Sequence, residues 1–385
     1  MTDISKMPRL GFGMMRLPVK DGDSREIDIP EVCRMVDRYM QAGLCYFDTA
    51  YVYHDGNSER AMKAAIVDRY PRDSFYLADK LPAWCMHSAE DRDRIFEEQL
   101  ERTGAGYFDF YLLYSLEDGN NYDTYEKYDC FSWAMEKKKE GLIRHFGFSF
   151  HGSPELLTKV LDLHPEVEFV QIQLNYLDWK NPVVRSGELW EILSKRQIPI
   201  IVMEPVKGGF LAKLKPELEQ EMKETDPERP IASWALRFAV TRPGAMTVLS
   251  GMSEESQMKD NISTFTPLVP LSEKEQHVID HVVQVITDVP LIGCTACRYC
   301  CAGCPKSISI PDVFRTMNTI TLYPDNTFRP MSFYRSLVTS RSGKAGDCIG
   351  CGQCESVCPQ HLPIRSLLKK AAAELDTKLW SYRRQ

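Results

Sequence analysis

Short runs of apolar, β-branched or aromatic residues recur about every 30 residues through the first part of the chain. They are Leu10–Met14, Leu44–Phe47, Phe75–Ala78, Phe108–Leu113, Ile143–Ser149, Phe169–Leu174, Pro199–Met203 and Ala245–Leu249. Between them lie segments with apolar residues at helical spacing: Pro30–Ala42, Ser58–Tyr70, Glu90–Arg102, Ser132–Glu140, Pro154–Leu163, Gly187–Lys195, Pro230–Val240 and Ser253–Ser263. Helix starts and stops fall at sensible places. Asn57-Ser58-Glu59 and Ser153-Pro154 open two of them, and Gly141 follows a third. Strand–helix alternation of this kind predicts an all-parallel α/β sheet. Eight units over about 260 residues fit a closed (β/α)8 TIM barrel. A doubly wound open sheet is the alternative, but Leu10-Gly11-Phe12-Gly13 is too short for a dinucleotide fingerprint and leads into no helix.

The pattern changes after about residue 285. Helices are expected at Val313–Met317, Phe333–Val338 and Leu362–Leu375, and cysteines dominate. Cys294, Cys297, Cys300 and Cys304 precede Pro305; Cys348, Cys351, Cys354 and Cys358 precede Pro359. Each run reads C-x2-C-x2-C-x3-C-P, which gives three thiolates to one [4Fe–4S] cube and the fourth to its neighbour. Cys294, Cys297 and Cys300 with Cys358 are therefore expected on the first cube, and Cys348, Cys351 and Cys354 with Cys304 on the second. Zinc is the alternative, since C-x2-C pairs also build tetrahedral sites. Four cysteines within eleven residues crowd a zinc site and suit a cube. Cys301 reads as a bystander, and Cys33, Cys45, Cys85 and Cys130 as apolar fillers. The two runs and their wide separation resemble the α-helical ferredoxin domain of fumarate reductase iron–sulfur subunits. The expected organisation is a barrel over residues 1–285 and a small, mainly α-helical ferredoxin-type domain over 286–385.

Charge and composition narrow the class. The chain has 385 residues, and its formal net charge of −7 argues against a nucleic-acid partner. The short Lys137–Lys139 run reads as a solvated helix face. The N-terminal MTDISKMPRLGFG has no apolar signal core, and no stretch reaches the roughly 20 apolar residues that span a bilayer. Thirteen cysteines, read as cluster ligands and fillers, imply a reducing, cytoplasmic and anaerobic setting.

A barrel carries its chemistry at the C-terminal ends of its strands. Asp48 closes the second predicted strand and Tyr53 follows it; Lys80 and Tyr114 close the third and fourth. A neighbouring ammonium favours a phenolate, and a carboxylate holds the ammonium in place. Asp48, Lys80 and Tyr53 thus form a tuned general acid for an oxygen that becomes negative on reduction.

Asp48-Thr49-Ala50-Tyr51-Val52-Tyr53, Glu59-Arg60 and Lys80 resemble the aldo-keto reductase signature, over about residues 7 to 265. The resemblance implies Tyr53 as proton donor tuned by Asp48 and Lys80. It implies an NADH or NADPH cofactor, with Ser149 and Gln171 at the nicotinamide carboxamide and Asp260 and Asn261 at the adenine. Gly147-Phe148-Ser149, Val170-Gln171-Ile172 and Met203-Glu204-Pro205 fall where that family meets its nucleotide. A branch of the family carries a C-terminal ferredoxin domain, and this chain looks like that branch.

Three positions depart from the family. Tyr114 stands where histidine is usual, which brings conjugated C=C reduction beside carbonyl reduction. Gly251 and Gln257 stand where NADP-preferring members carry a lysine and an arginine, with Lys259 as a weak substitute. Met203 replaces an aromatic that stacks on the nicotinamide, and in the following turn Lys207, Gly208 and Gly209 are placed to meet a pyrophosphate. A plain glycine turn explains them equally.

A hydride carries two electrons and a cube usually one. Three functions follow: a nicotinamide-dependent reductase of a small organic substrate, a cluster-fed one-electron reductase without nucleotide, or an electron-carrying adaptor with an inactive barrel. A redox partner protein is compatible with each. Trp84, Trp179, Tyr51, Tyr176, Met14 and Met15 are candidate apolar walls for the substrate.

Overall fold

The computed structural model describes residues 7–380, apart from 118, 119, 182, 183, 295, 296, 325, 326 and 341. The N-terminal residues 1–6, part of the segment read as lacking a signal core, lie outside the described residues. The chain forms two compact units, Met1–Ile279 and Asp280–Gln385.

In the first unit eight parallel strands close into a barrel in chain order. They are β1 Leu10–Gly13, β2 Tyr46–Asp48, β3 Tyr76–Pro82, β4 Phe108–Leu116, β5 Ile143–Phe150, β6 Phe169–Gln173, β7 Ile200–Met203 and β8 Ala245–Gly251. The barrel closes where Leu10 pairs with Val248. Most strand residues are buried, which is why these segments read as unbroken apolar runs. The interior is filled by Tyr46, Phe110, Leu112, Phe169, Ile201, Met246 and Leu249. At Gly147 β5 passes so close to β6 that an added Cβ would lie 2.2 Å from the Phe169 carbonyl oxygen. Only a residue without a side chain fits there.

Helices cover the outside, and two of them start at a side-chain cap. The Asp28 carboxylate accepts the Glu31 N–H at the head of helix Ile29–Gln41, and the Ser153 hydroxyl accepts the Leu156 N–H at the head of Pro154–Leu163. Gly104, at φ +65°, ends helix Glu90–Thr103. Helices Asn120–Lys127 and Pro216–Thr225 were not expected from the sequence. Both are mostly polar and lack a strong apolar stripe.

The second unit contains helices Ile310–Leu322, Phe328–Ser340 and Ile364–Leu375. Its core joins Ile308, Ile310, Phe314, Tyr334, Leu337 and Leu368 to Cys300 and Cys354. Among the described residues no helix is long and apolar enough to cross a membrane.

Candidate active site and cysteine cavities

Asp48 ends β2, and Tyr53 opens the helical turn Tyr53–Gly56 that follows. Lys80 and Tyr114 do not end their strands, as the sequence suggested. β3 runs on to Pro82, which pairs with Tyr114, and β4 continues through a bulge between Leu113 and Leu116. Inside that bulge Ser115 takes φ +58°. Its N–H donates to Ser149 Oγ at 2.7 Å, its carbonyl accepts from Asn121, and the Tyr125 hydroxyl donates to the Tyr114 carbonyl.

The four residues converge. Lys80 Nζ donates to Asp48 Oδ1 at 2.6 Å and to the Thr49 carbonyl at 2.5 Å. Lys80 is 1% exposed and Asp48 2%, so this ion pair is sealed from water. The ammonium stands 5.1 Å from the centre of the Tyr53 ring and 5.9 Å from that of Tyr114. The two rings meet edge to face at 6.1 Å, and Trp84 packs on Tyr114 at 5.1 Å. Burial pushes the Asp48 carboxyl above its ordinary range, against the pull of Lys80 and Gln171.

Two neighbouring atoms lack donors. Asp48 Oδ2 and Gln171 Oε1 are buried without a hydrogen-bond partner in the structure. Ser149, on β5, accepts from Ser115 and keeps its own hydroxyl proton to donate. A ligand amide, which both donates and accepts, fits such a set.

Other expected contacts look different. Lys207 is held by Asp178 at 2.6 Å, both side chains buried, and Gln173 and Asn175 donate to the other Asp178 oxygen. The charge assigned to a pyrophosphate is therefore already met by a carboxylate 29 residues away, for which the sequence gives no signal. Gly208 and Gly209 do form a turn with positive φ, +67° and +101°. Met203 ends β7 and packs on the barrel interior. Asn261 donates to Ser250 Oγ at 2.8 Å, while Asp260 is half-buried and its carboxyl is raised by that burial. Gln257 accepts the N–H of Ser253, in the loop before its helix; Lys259 is exposed.

Of the candidate walls, Trp84 stands beside Tyr114. Trp179 and Tyr176 pack on Phe238, and Tyr51 bonds Glu98 beneath Arg102. Met14 is buried and Met15 is 47% exposed.

In the second unit two clefts are lined by cysteines. Cys294, Cys297, Cys300 and Cys358 line the first; Cys304, Cys348, Cys351 and Cys354 line the second. Each cavity thus takes three residues from one run and one from the other. Ile310 lines both. The thiols ring a volume instead of meeting at a point, as a cube requires. Cys301 lines neither cavity and packs beside Cys300.

Comparison with known proteins agrees with both units. Residues 9–284 match the aldo/keto reductase family, and residues 293–362 match a 4Fe-4S dicluster domain. L-galactose dehydrogenase of Arabidopsis thaliana is 25% identical over 302 residues, covering 74% of this chain and 92% of the plant protein. The uncharacterized oxidoreductase YqkF of Bacillus subtilis is 24% identical over 294 residues, 68% of this chain and 87% of that protein. Among solved structures, the holo form of aldo-keto reductase AKR11C1 from Bacillus halodurans has a TM-score of 0.57 at 24% identity. It covers 71% of this chain and 91% of its own. An aldo-keto reductase from Klebsiella pneumoniae in complex with NADPH has a TM-score of 0.56 at 20% identity, over 72% of this chain and 91% of its own. With a closed eight-stranded barrel, a buried Lys80–Asp48 pair under Tyr53, and a family match over most of its length, the chain belongs to the aldo/keto reductase family and is an oxidoreductase followed by an iron–sulfur dicluster domain.

Proposed function

We propose that the protein reduces a carbonyl or conjugated C=C of a small organic substrate, with NADH or NADPH as hydride source and Tyr53 as proton donor. The observation that carries this reading is the buried Lys80 ammonium, bonded to Asp48 and set 5.1 Å from the Tyr53 ring. Asp48 and the Thr49 carbonyl fix the ammonium in a water-poor site, where its field on the Tyr53 ring is strong. Lys80 stabilises the phenolate left once Tyr53 gives up its proton, so the substrate oxygen is protonated as it becomes negative. Tyr114 narrows the opposite wall, with Trp84 behind it.

Ser149, Gln171 and Asp48 Oδ2 offer one donor and two acceptors, which suits a nicotinamide carboxamide. When bound, the nicotinamide supplies the hydride. Gly208 and Gly209 leave backbone open for a pyrophosphate, while Asp260, Asn261 and Met203 flank the remaining nucleotide path. Lys207 contributes by holding the turn through Asp178.

Two [4Fe–4S] cubes are assigned to the two cysteine cavities, with the exchanged fourth ligands Cys358 and Cys304. They make a redox partner protein and a reducing cytoplasm part of the same reading.

Anaerobic fluorescence titration with NADPH and with NADH is expected to show saturable binding by at least one. Tyr53→Phe is expected to keep that binding and to lower kcat by about 10²- to 10⁴-fold, the usual share of a general acid. Full activity in the variant removes Tyr53 from the mechanism. Turnover with dithionite alone and no nucleotide binding would replace this reading with the cluster-fed one.

A further inference from the structure

Directly behind the active-site lysine, on the outer face of β3, lie two carboxyl groups that the chemistry above does not use. Asp79 and Glu59 are both 0% exposed. Asp79 Oδ1 accepts the Lys80 N–H at 2.8 Å and the Gln99 amide at 2.8 Å. Glu59 Oε2 accepts from Arg102 at 3.0 Å. Their remaining oxygens, Asp79 Oδ2 and Glu59 Oε1, are buried without a close hydrogen-bond partner. The two carboxyls act on each other as neighbours, with the Gln99 amide beside both.

Two carboxylates in contact, out of water, cannot both be charged. We propose that Glu59 and Asp79 hold one proton between them, and that this proton pins the segment carrying Tyr53 against the strand carrying Lys80. The segment 49–58 is tied at its start by Lys80 to the Thr49 carbonyl and by Thr49 Oγ1 to Ser58 Oγ at 2.8 Å. Tyr51 bonds Glu98 on helix Glu90–Thr103. Glu59 joins the far end of the segment to β3 through Asp79. Asp79 and Glu59 are thus positioning residues, one peptide away from Lys80 and six residues beyond Tyr53.

The groups facing the pair come from every side. Arg102 and Glu98 approach from helix Glu90–Thr103, Tyr111 from β4, and Lys80 from β3 itself. Arg102 supplies one positive charge to Glu59, which makes Asp79 the better place for the proton. Burial, then the neighbouring Glu59, raises the Asp79 carboxyl well above its ordinary range; burial raises Glu59 as well. A raised carboxyl favours the folded form below its ordinary value, and that preference is lost as pH rises through the folded value. The pin therefore releases on the alkaline side. The pair titrates as a unit.

The inference rests on the proposed roles of Tyr53 and Lys80 only for its significance, and its test does not use activity. Infrared spectra of the anaerobically purified holoprotein should show a protonated-carboxyl band, shifted in deuterium oxide. Asp79→Asn and Glu59→Gln should each lose that band, because either amide donates permanently to the other partner. In hydrogen exchange, corrected for the intrinsic base-catalysed rate, protection of residues 49–57 should fall about tenfold per pH unit above the pair's titration. In Asp79→Asn the same profile should be flat. A band that survives in both variants, or identical protection profiles for wild type and Asp79→Asn, overturns the proposal; wild-type spectra without the band do so even if neither variant folds. If these results hold while Tyr53→Phe keeps full activity, the functional reading fails and the shared proton stands.

Discussion

The barrel fixes its reactive side chains with other protein atoms, whereas the second unit gathers its cysteines around two clefts and onto an apolar core. In the barrel, Lys80 is met by Asp48 and Thr49, Lys207 by Asp178, and Glu59 by Arg102. In the second unit, Cys300 and Cys354 belong to the apolar core, and Cys294, Cys304, Cys348 and Cys358 pack against it. The two units thus hold their reactive groups differently, by polar bonds in one and by an apolar core in the other. Cubes seated among those cysteines would be core material of the second unit.

Removing iron and sulfide by chelation should break this contrast most visibly. Helices Ile310–Leu322 and Ile364–Leu375 are expected to lose amide protection entirely, as small metal-built domains do. The barrel strands should keep theirs. Hydrogen exchange before and after chelation checks it, and a protected second unit without metal would erase the distinction. Lys80→Met tests the other side. It strands Asp48 in a buried site and should cost the barrel about 3–5 kcal/mol in a denaturant titration, with iron content unchanged.

Gly147→Ala sharpens the comparison at the level of packing. Its Cβ would meet the Phe169 carbonyl, a backbone atom that cannot step aside, so a loss of about 1–3 kcal/mol in the barrel transition alone is expected. The smallest effect concerns acid. Burial raises Glu168, but His145, Lys138 and the Phe146 N–H outweigh it and pull its carboxyl down to about 2. A depressed carboxyl stabilises the fold above its ordinary value and loses that contribution as pH falls. Barrel stability, followed by far-ultraviolet dichroism, should therefore decline gently from the ordinary carboxylate range toward about pH 2.

Much of the barrel was legible because each strand is a nearly unbroken apolar run and each long helix carries an apolar stripe. Asn120–Lys127 was not, since its polar residues give no such stripe. Asp48, Tyr53 and Lys80 were legible as residue types clustered near predicted strand ends and through the family signature. The cysteine spacing was legible as cluster chemistry because it is local. What escaped joins distant elements: Asp178 with Lys207, Trp84 with Tyr114, and Asp79 with Glu59. Periodicity says which face a residue occupies, not which residue from another element meets it there. The departures at Gly251 and Gln257 were visible, yet the bond of Gln257 to the Ser253 N–H was not.

The bulge at Ser115 has a consequence for how this corner of the barrel can change over time. Its backbone is clamped by Ser149, Asn121 and Tyr125, none of which depends on what side chain residue 114 carries. Position 114 therefore behaves as a socket in a rigid frame. A change of side chain there leaves the bonds that hold the wall in place.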